Sequence, residues 1–299
     1  MASPAADIVV SESIVRSLLA EQHPDLAALS LVQVDEGWDN TLWRLGDDLV
    51  VRLPRRELAA QLTMNEQRWL PVLAPLLPLP IPSPVRLGRP SERYPWHWSV
   101  VRWLGGVPAD RAAIADPHDA AVRLGRFLRA LHGGAPRDAP QNPFRGVPLI
   151  ARAATVEERL ANPALGIDVP SIRRVWDAAL GAEPHIGTPV WIHGDLHPAN
   201  VLVAGGTLAA VIDFGDLCAG DPATDLAGAW MLLPRRAFGA FSSSYGGAEG
   251  GVDADLARRS QGWALLFALM LLEIGLDGRP TYERVARSTL ARVVVEARP

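Results

Sequence analysis

The chain contains no lysine; all 29 of its basic residues are arginines. Any task usually given to an ammonium must fall to a guanidinium or go unfilled, and the two differ in shape and hydration. Cysteine is nearly absent too. Cys218 is the single one, so no internal disulfide can form, and a reducing, cytoplasmic compartment is expected. Charge of either sign is not in large excess. The 33 acidic residues leave a net charge of −4, which gives no footing for nucleic acid or an anionic membrane as a partner. The N-terminus lacks the basic start and apolar stretch of a signal peptide. The longest uncharged apolar run, 263–272, falls well short of the ~20 residues a bilayer span needs, so it reads as a buried helix. What is present is 299 residues, 48% of them hydrophobic. That is enough for a two-lobed enzyme with a sizeable core.

The texture of the chain changes along its length. Residues 11–20 have helical apolar spacing. From Leu31 to Leu53 apolar and polar residues alternate, with turn signals at Glu36-Gly37 and Gly46-Asp47, which predicts three short antiparallel strands. Helical spacing returns over 58–73. Five prolines between Pro75 and Pro84 then enforce an extended connection. Residues 85–87 and 98–103 read as two more strands, and Leu104-Gly105-Gly106 closes the sheet-rich part. We therefore expect a domain at 1–103 and a mostly helical one at 104–299. Asp116-Pro117 is a helix start, with a capping acid and proline at the first helical position. Further helices are expected over 155–160, 172–179, 222–233, 255–274 and 281–296. The glycine- and serine-rich stretch 242–251 reads as a mobile loop.

The most informative segment is WIHGDLHPANVLVAGGTLAAVIDFGD, residues 191–216. Val201-Leu202-Val203 and 208–212 are β-type runs, and Gly205-Gly206 between them is a two-residue hairpin signal. With Ala204 facing Thr207, counting back sets Asn200 opposite Val211. Asp213 then points to the same face as Asn200, within reach as a diagonal neighbour. A carboxamide and a carboxylate so placed are hard oxygen ligands suited to Mg²⁺ shared with nucleotide phosphates. Asp195, on the loop leading into the hairpin, can accept the proton of a hydroxyl attacking a γ-phosphate.

This block resembles the aminoglycoside phosphotransferases and related small-molecule kinases, through His193-Gly194-Asp195-Leu196-His197-Pro198-Ala199-Asn200 and Ile212-Asp213-Phe214-Gly215-Asp216. The resemblance implies an α+β, bilobal, protein-kinase-like fold: a small antiparallel-sheet N-lobe that binds nucleotide and a mostly helical C-lobe. It implies Asp195 as catalytic base, Asn200 and Asp213 as metal ligands, and Asp225 as a brace for the catalytic loop. His193 and His197 are read as structural support. Upstream, Gly37, Asn40 and Thr41 match the family's phosphate-covering turn. The lysine that the family places on the next strand is Arg52 here, and its helix partner is Glu66. A purine base would bond to the backbone near Arg102, Trp103 and Leu104. The donor is expected to be ATP, with GTP as the other choice.

The acceptor is expected to be a small hydroxylated molecule, first an aminoglycoside. A polycation would want acidic groups, and Asp216, Glu273 and Asp277 are the candidates, with Asp221, Asp253 and Asp255 behind them. A macrolide would prefer Trp176, Trp230, Trp263 or Phe267, and an ordinary metabolite is a third choice. With arginine in place of lysine, a catalytically weak nucleotide-binding protein is the alternative from another class. A metallophosphoesterase would need further Asp-x-His and Asn-His clusters, which the sequence lacks.

Overall fold

The computed structural model describes residues 5–247 and 250–296, without the side chains of Glu36, Val295 and Glu296. The chain divides into two units. One comprises the residues up to Leu76 with Pro80–Leu104; the other comprises Leu77–Leu79 with Gly105 onward.

The first unit is built on a five-stranded antiparallel sheet. Its strands are β1 (Leu31–Glu36), β2 (Asn40–Leu45), β3 (Leu49–Pro54), β4 (Pro84–Gly88) and β5 (Trp98–Arg102), in the order β1-β2-β3-β5-β4. The alternation of the sequence becomes an alternation of burial. In β2, Thr41, Trp43 and Leu45 point inward while Asn40, Leu42 and Arg44 stay partly open. Helix α1 (Glu12–Gln22) is capped by the Ser11 hydroxyl, which accepts from the Ile14 N–H. It lays Val15, Leu18 and Leu19 into a core with Trp43, Leu45, Val51, Leu53, Tyr94 and Trp98. Helix α2 (Glu57–Leu73) buries Ala59, Thr63, Glu66, Leu70 and Leu73. Their spacing of three to four residues is that of one helical face.

The second unit is helical around two small sheets. Its helices are α3 (Pro117–Leu131), α4 (Ala153–Leu160), α5 (Val169–Leu180), α6 (Ala223–Leu232), α7 (Phe238–Gly246), α8 (Ala254–Leu276) and α9 (Pro280–Glu296). Strand β6 (Val107–Pro108) joins β8 (Val201–Ala204) and β9 (Thr207–Val211), while β7 (Val190–Ile192) pairs with β10 (Cys218–Gly220). Asp116 caps α3 as expected, accepting from His118 and Asp119 N–H groups. Helix α8 is long and apolar enough to cross a membrane, and most of it is buried within this unit. Leu265, Leu266, Ala268 and Leu269 are wholly covered there.

Two expectations change. The 242–251 stretch is helical through Gly246 in α7; Ala248 and Glu249 lie outside the described residues. Phe241 and Tyr245, one turn apart, lie near-parallel and offset with ring centroids 6.1 Å apart, and Gly125 of α3 lets the α7 backbone come close. Aromatic spacing outweighs the low helix propensity of glycine and serine here. The second change is the hairpin register. Ala204 faces Thr207, but a bulge lies between Leu202 and Val203, so Val211 pairs with Val201 rather than with Asn200. A bulge inserts one unpaired residue, here Ala209, and shifts everything beyond it by one.

Candidate active site

Two adjacent strand ends assemble the site. β7 delivers the chain into the 193–200 loop, and the 212–217 segment runs into β10. Because Ile192 pairs with Cys218, the residues just after β7 lie against those just before β10. Gly194 makes that approach possible. Its φ is +85°, and a Cβ there would stand 2.5 Å from the Asp216 carbonyl oxygen; only glycine meets both demands.

The loop backbone is held from beneath by Asp225, on the first turn of α6. Its carboxylate is fully buried and accepts from the N–H groups of His193 at 2.7 Å and Gly194 at 2.9 Å. His132 at the end of α3 approaches the same carboxylate at 3.2 Å, and its other ring nitrogen meets the Tyr245 hydroxyl at 2.9 Å. His193 is buried and bonds at both ring nitrogens. Nδ1 accepts from the Asp195 N–H at 3.2 Å, so Nε2 carries the proton and donates to the Ile212 carbonyl at 2.9 Å. That bond ties the 193–200 loop to the end of β9. His197 accepts from the Ala199 N–H through Nδ1 and turns Nε2 toward Asp195, 3.5 Å away.

Asp195 keeps 31% of its side chain open and carries an arginine that the sequence reading missed. The Arg145 Nη2 lies 3.1 Å from Asp195 Oδ1, and its Nε lies 3.3 Å from Asp216 Oδ2. Its guanidinium also rests over the Phe267 ring, 5.0 Å from the centroid. Burial alone would raise the Asp195 pKa, but the Arg145 charge, then His197, outweigh it and hold the carboxyl well below the usual carboxylate range. Burial dominates at Asp216, whose pKa is raised against the same arginine, even though Asn142 donates to it at 2.7 Å. One guanidinium thus serves two carboxylates and favours the charge on Asp195. Arg145 sits on an irregular segment between α3 and α4, where no periodicity marks it. Phe144 and Arg145 N–H groups donating to the Asn142 side chain give the segment its turn.

Asn200 ends a short 3-10 turn, and its Nδ2 donates to the Asp195 carbonyl at 2.9 Å. The Ile212 N–H donates to the Asn200 carbonyl at 2.9 Å, so Asn200 stands beside Ile212 and Asp213 follows directly. Asp213 has φ +63°, the one non-glycine residue in the left-handed region among those described. Aspartate tolerates that region better than most residues, and such strain gathers at functional sites. With the Asn200 Nδ2 committed inward, neither its carboxamide oxygen nor the exposed Asp213 carboxylate has a partner among the described residues. This donor set fits a hard divalent cation that takes its remaining ligands from phosphate and water. No group of three His, Cys, Asp or Glu side chains that could enclose a metal is found among the described residues.

In the first unit, Arg52 Nη2 meets Glu66 Oε1 at 3.1 Å, both side chains nearly buried. The turn before β2 is closed by the Gly37 N–H donating to the Asn40 carbonyl at 2.9 Å, and Arg55 donates to the Gly37 carbonyl at 3.0 Å. Thr41 is buried. At the end of β5, Arg102 pairs with Leu49. The Trp103 N–H is committed to the Asp48 carbonyl at 2.7 Å, which removes it from the donors open to a base and leaves Leu104 beyond it. The Trp103 ring lies beneath the Arg44 guanidinium at 4.0 Å.

The remaining acidic candidates are engaged elsewhere. Glu273 pairs with Arg159 at 2.8 Å, Asp221 with Arg259 at 2.8 Å, and Asp255 with Arg258 at 3.0 Å. Asp253 and Asp277 are end residues of α8. Trp176, Trp230 and Trp263 are core. Cys218 is buried in β10, and burial pushes its thiol pKa up, so it is inert.

The arrangement has counterparts. The model of the phosphotransferase enzyme family matches residues 30–262, and the chain belongs to that family. A homoserine kinase of Methylocella silvestris is 30% identical over 223 residues, 64% of this chain and 63% of that protein. The chain thus spans less than two thirds of that relative's length. Among solved structures, a GDP and kanamycin complex of APH(2")-IIia aligns with TM-score 0.70 at 22% identity, covering 94% of this chain and 98% of the other. A macrolide 2'-phosphotransferase from Brachybacterium faecium aligns with TM-score 0.61 at 24% identity, covering 92% and 97%. The fold is therefore the α+β, protein-kinase-like one of these phosphotransferases, with a small antiparallel sheet followed by a helical part.

Proposed function

We propose that the protein transfers the γ-phosphoryl group of ATP or GTP to a hydroxyl of a small molecule in the cytoplasm, with Asp195 as the residue that takes the hydroxyl proton. The observation that carries this reading is the state of Asp195: ionised, partly open, and fixed through its backbone by His193 and Asn200. The acceptor oxygen bonds to the γ-phosphorus as the bond to the β,γ-bridging oxygen breaks. The proton passes to the Asp195 carboxylate, and ADP or GDP leaves. Positioning and charge neutralisation supply most of the acceleration in this chemistry. A magnesium ion held by Asn200 and Asp213 would offset charge on the phosphate oxygens.

Arg52 takes the lysine's place. Arginine keeps the positive charge, pairs with Glu66 at 3.1 Å, and has a planar fork of the kind that suits phosphate. This supports an active kinase over a nucleotide-binding protein without turnover. The aminoglycoside reading has little support, because Asp216 and Glu273 already face arginines. A hydroxylated metabolite is the acceptor class we favour; the homoserine kinase relative fits that choice. Nucleotide-dependent ADP or GDP release should appear with an acceptor, and Asp195→Asn should lower it by about a thousandfold or more while the fold persists. Activity retained in Asp195→Asn would remove the base assignment.

A further inference from the structure

Three arginines gather along the segment that carries Arg145. Arg145 has two carboxylate partners, Asp195 and Asp216. Arg159, seven residues beyond Arg152, has Glu273. The side chain of Arg152, which immediately precedes α4, has no hydrogen bond and no ion pair among the described residues, and its Nε is buried. Its guanidinium lies over Phe144 at 5.3 Å, and Phe144 is the chain neighbour of Arg145. Desolvation, then repulsion from Arg145 and Arg159, lowers the Arg152 pKa. Its unmatched charge is therefore in electrostatic reach of the guanidinium that touches Asp195.

A buried donor with no acceptor is costly to leave unmade. A guanidinium held over an aromatic ring keeps its charge and its planar fork, the group best suited to receive a carboxylate. One unmatched positive charge matches one negative charge, which favours a carboxylate over a phosphate dianion. We propose that Arg152 is an acceptor-binding residue, and that the phosphorylated molecule is a hydroxy acid whose carboxylate it holds while the hydroxyl faces Asp195. This rests on the kinase reading above and names the acceptor class for the same site. It also separates this chain from enzymes that bind polycations, which this charge repels.

The test has two independent arms. In the first, calorimetry measures binding of L-homoserine, L-serine and glycerate, each against its own carboxamide, and of kanamycin. The acids should bind about tenfold or more tightly than their amides, the discrimination expected of one charge-assisted pair. Arg152→Gln should remove that preference, and Arg152→Lys should keep part of it. Arg152 is partly exposed, so both variants should fold. Equal affinity for acids and amides, tighter binding of kanamycin, no binding of any acid, or an unchanged preference in Arg152→Gln would each overturn the assignment. The second arm follows ADP and GDP release with the same compounds. In Arg152→Gln the KM for the acids should rise to that for the amides. Release that does not depend on Asp195 with any acceptor would count against the kinase reading alone, whatever the binding arm shows.

Discussion

Arg145 touches Asp195, Asp216 and the Phe267 ring, with 12% of its side chain open. Replacing it with glutamine would leave two carboxylates close together without their shared counter-charge. Removing one partner of a buried pair costs about 3–5 kcal/mol, and the open fraction of Asp195 places the expected loss at the low end of that range. The pH consequence has a definite sign. The Asp195 pKa is depressed below its ordinary value of 3.8, so the stability it contributes is present above that value and lost as pH falls through the lower, folded one. Activity of the native protein should therefore lose nothing through Asp195 between pH 5 and 8, about the range where proteins are commonly most stable. In Arg145→Gln the Asp195 pKa should rise, moving the acid limb of kcat toward neutrality. A pH–rate profile that keeps the native acid limb would show that Arg145 does not set the charge of Asp195.

Between β7 and β10 the active loop depends on two devices: the glycine that allows close approach and the buried carboxylate beneath it. Gly194→Ala places a methyl against the Asp216 carbonyl at a positive φ. We expect kcat to fall by about a hundredfold, the penalty of an ångström-scale misplacement, with far-ultraviolet dichroism unchanged. Asp225→Ala removes the acceptor of two backbone N–H groups and of the His132 contact. A urea midpoint shift equivalent to about 2–4 kcal/mol is expected, from donors left buried and unpaired; a shift under about 0.5 kcal/mol would deny Asp225 its bracing role. The sequence made this loop legible because strand, turn and cap signals are local. His193-Gly194-Asp195 and Gly205-Gly206 each report their own geometry. The bulge at Ala209 was not legible, since Leu208, Ala209 and Ala210 are all acceptable strand residues and only packing chooses the extra one. Arg145 was invisible for another reason: its partners lie 50 and 71 residues away, and an arginine in an irregular segment carries no periodic mark.

At the scale of the whole chain, the two units carry different parts of the proposed reaction. Nucleotide affinity should depend on the Arg52–Glu66 pair of the first unit. Arg52→Gln should weaken binding of a fluorescent nucleotide about tenfold, through loss of a charge-assisted contact, and Arg52→Lys should restore most of it. Affinity unchanged by Arg52→Gln would place the phosphates elsewhere. Turnover should stop in excess chelator and return with Mg²⁺, and Asn200→Ala should raise the Mg²⁺ concentration needed. The broad division into a sheet-rich and a helical part could be read from the shift in hydrophobic period near Leu104. The α7 helix could not, because its stability comes from aromatic stacking and contact with α3 rather than from its own residues.

The Arg52–Glu66 pair has a consequence for how the protein can be handled chemically. A chain without lysine has no ε-amine to acylate. Nucleotide acyl phosphates and other amine-directed probes, which mark kinases through a lysine beside the phosphates, should leave these positions unlabelled even when nucleotide is bound. Reagents specific for guanidinium, such as phenylglyoxal, should instead modify the exposed arginines first, and Arg52, 12% open and paired with Glu66, should react slowly and more slowly still with nucleotide.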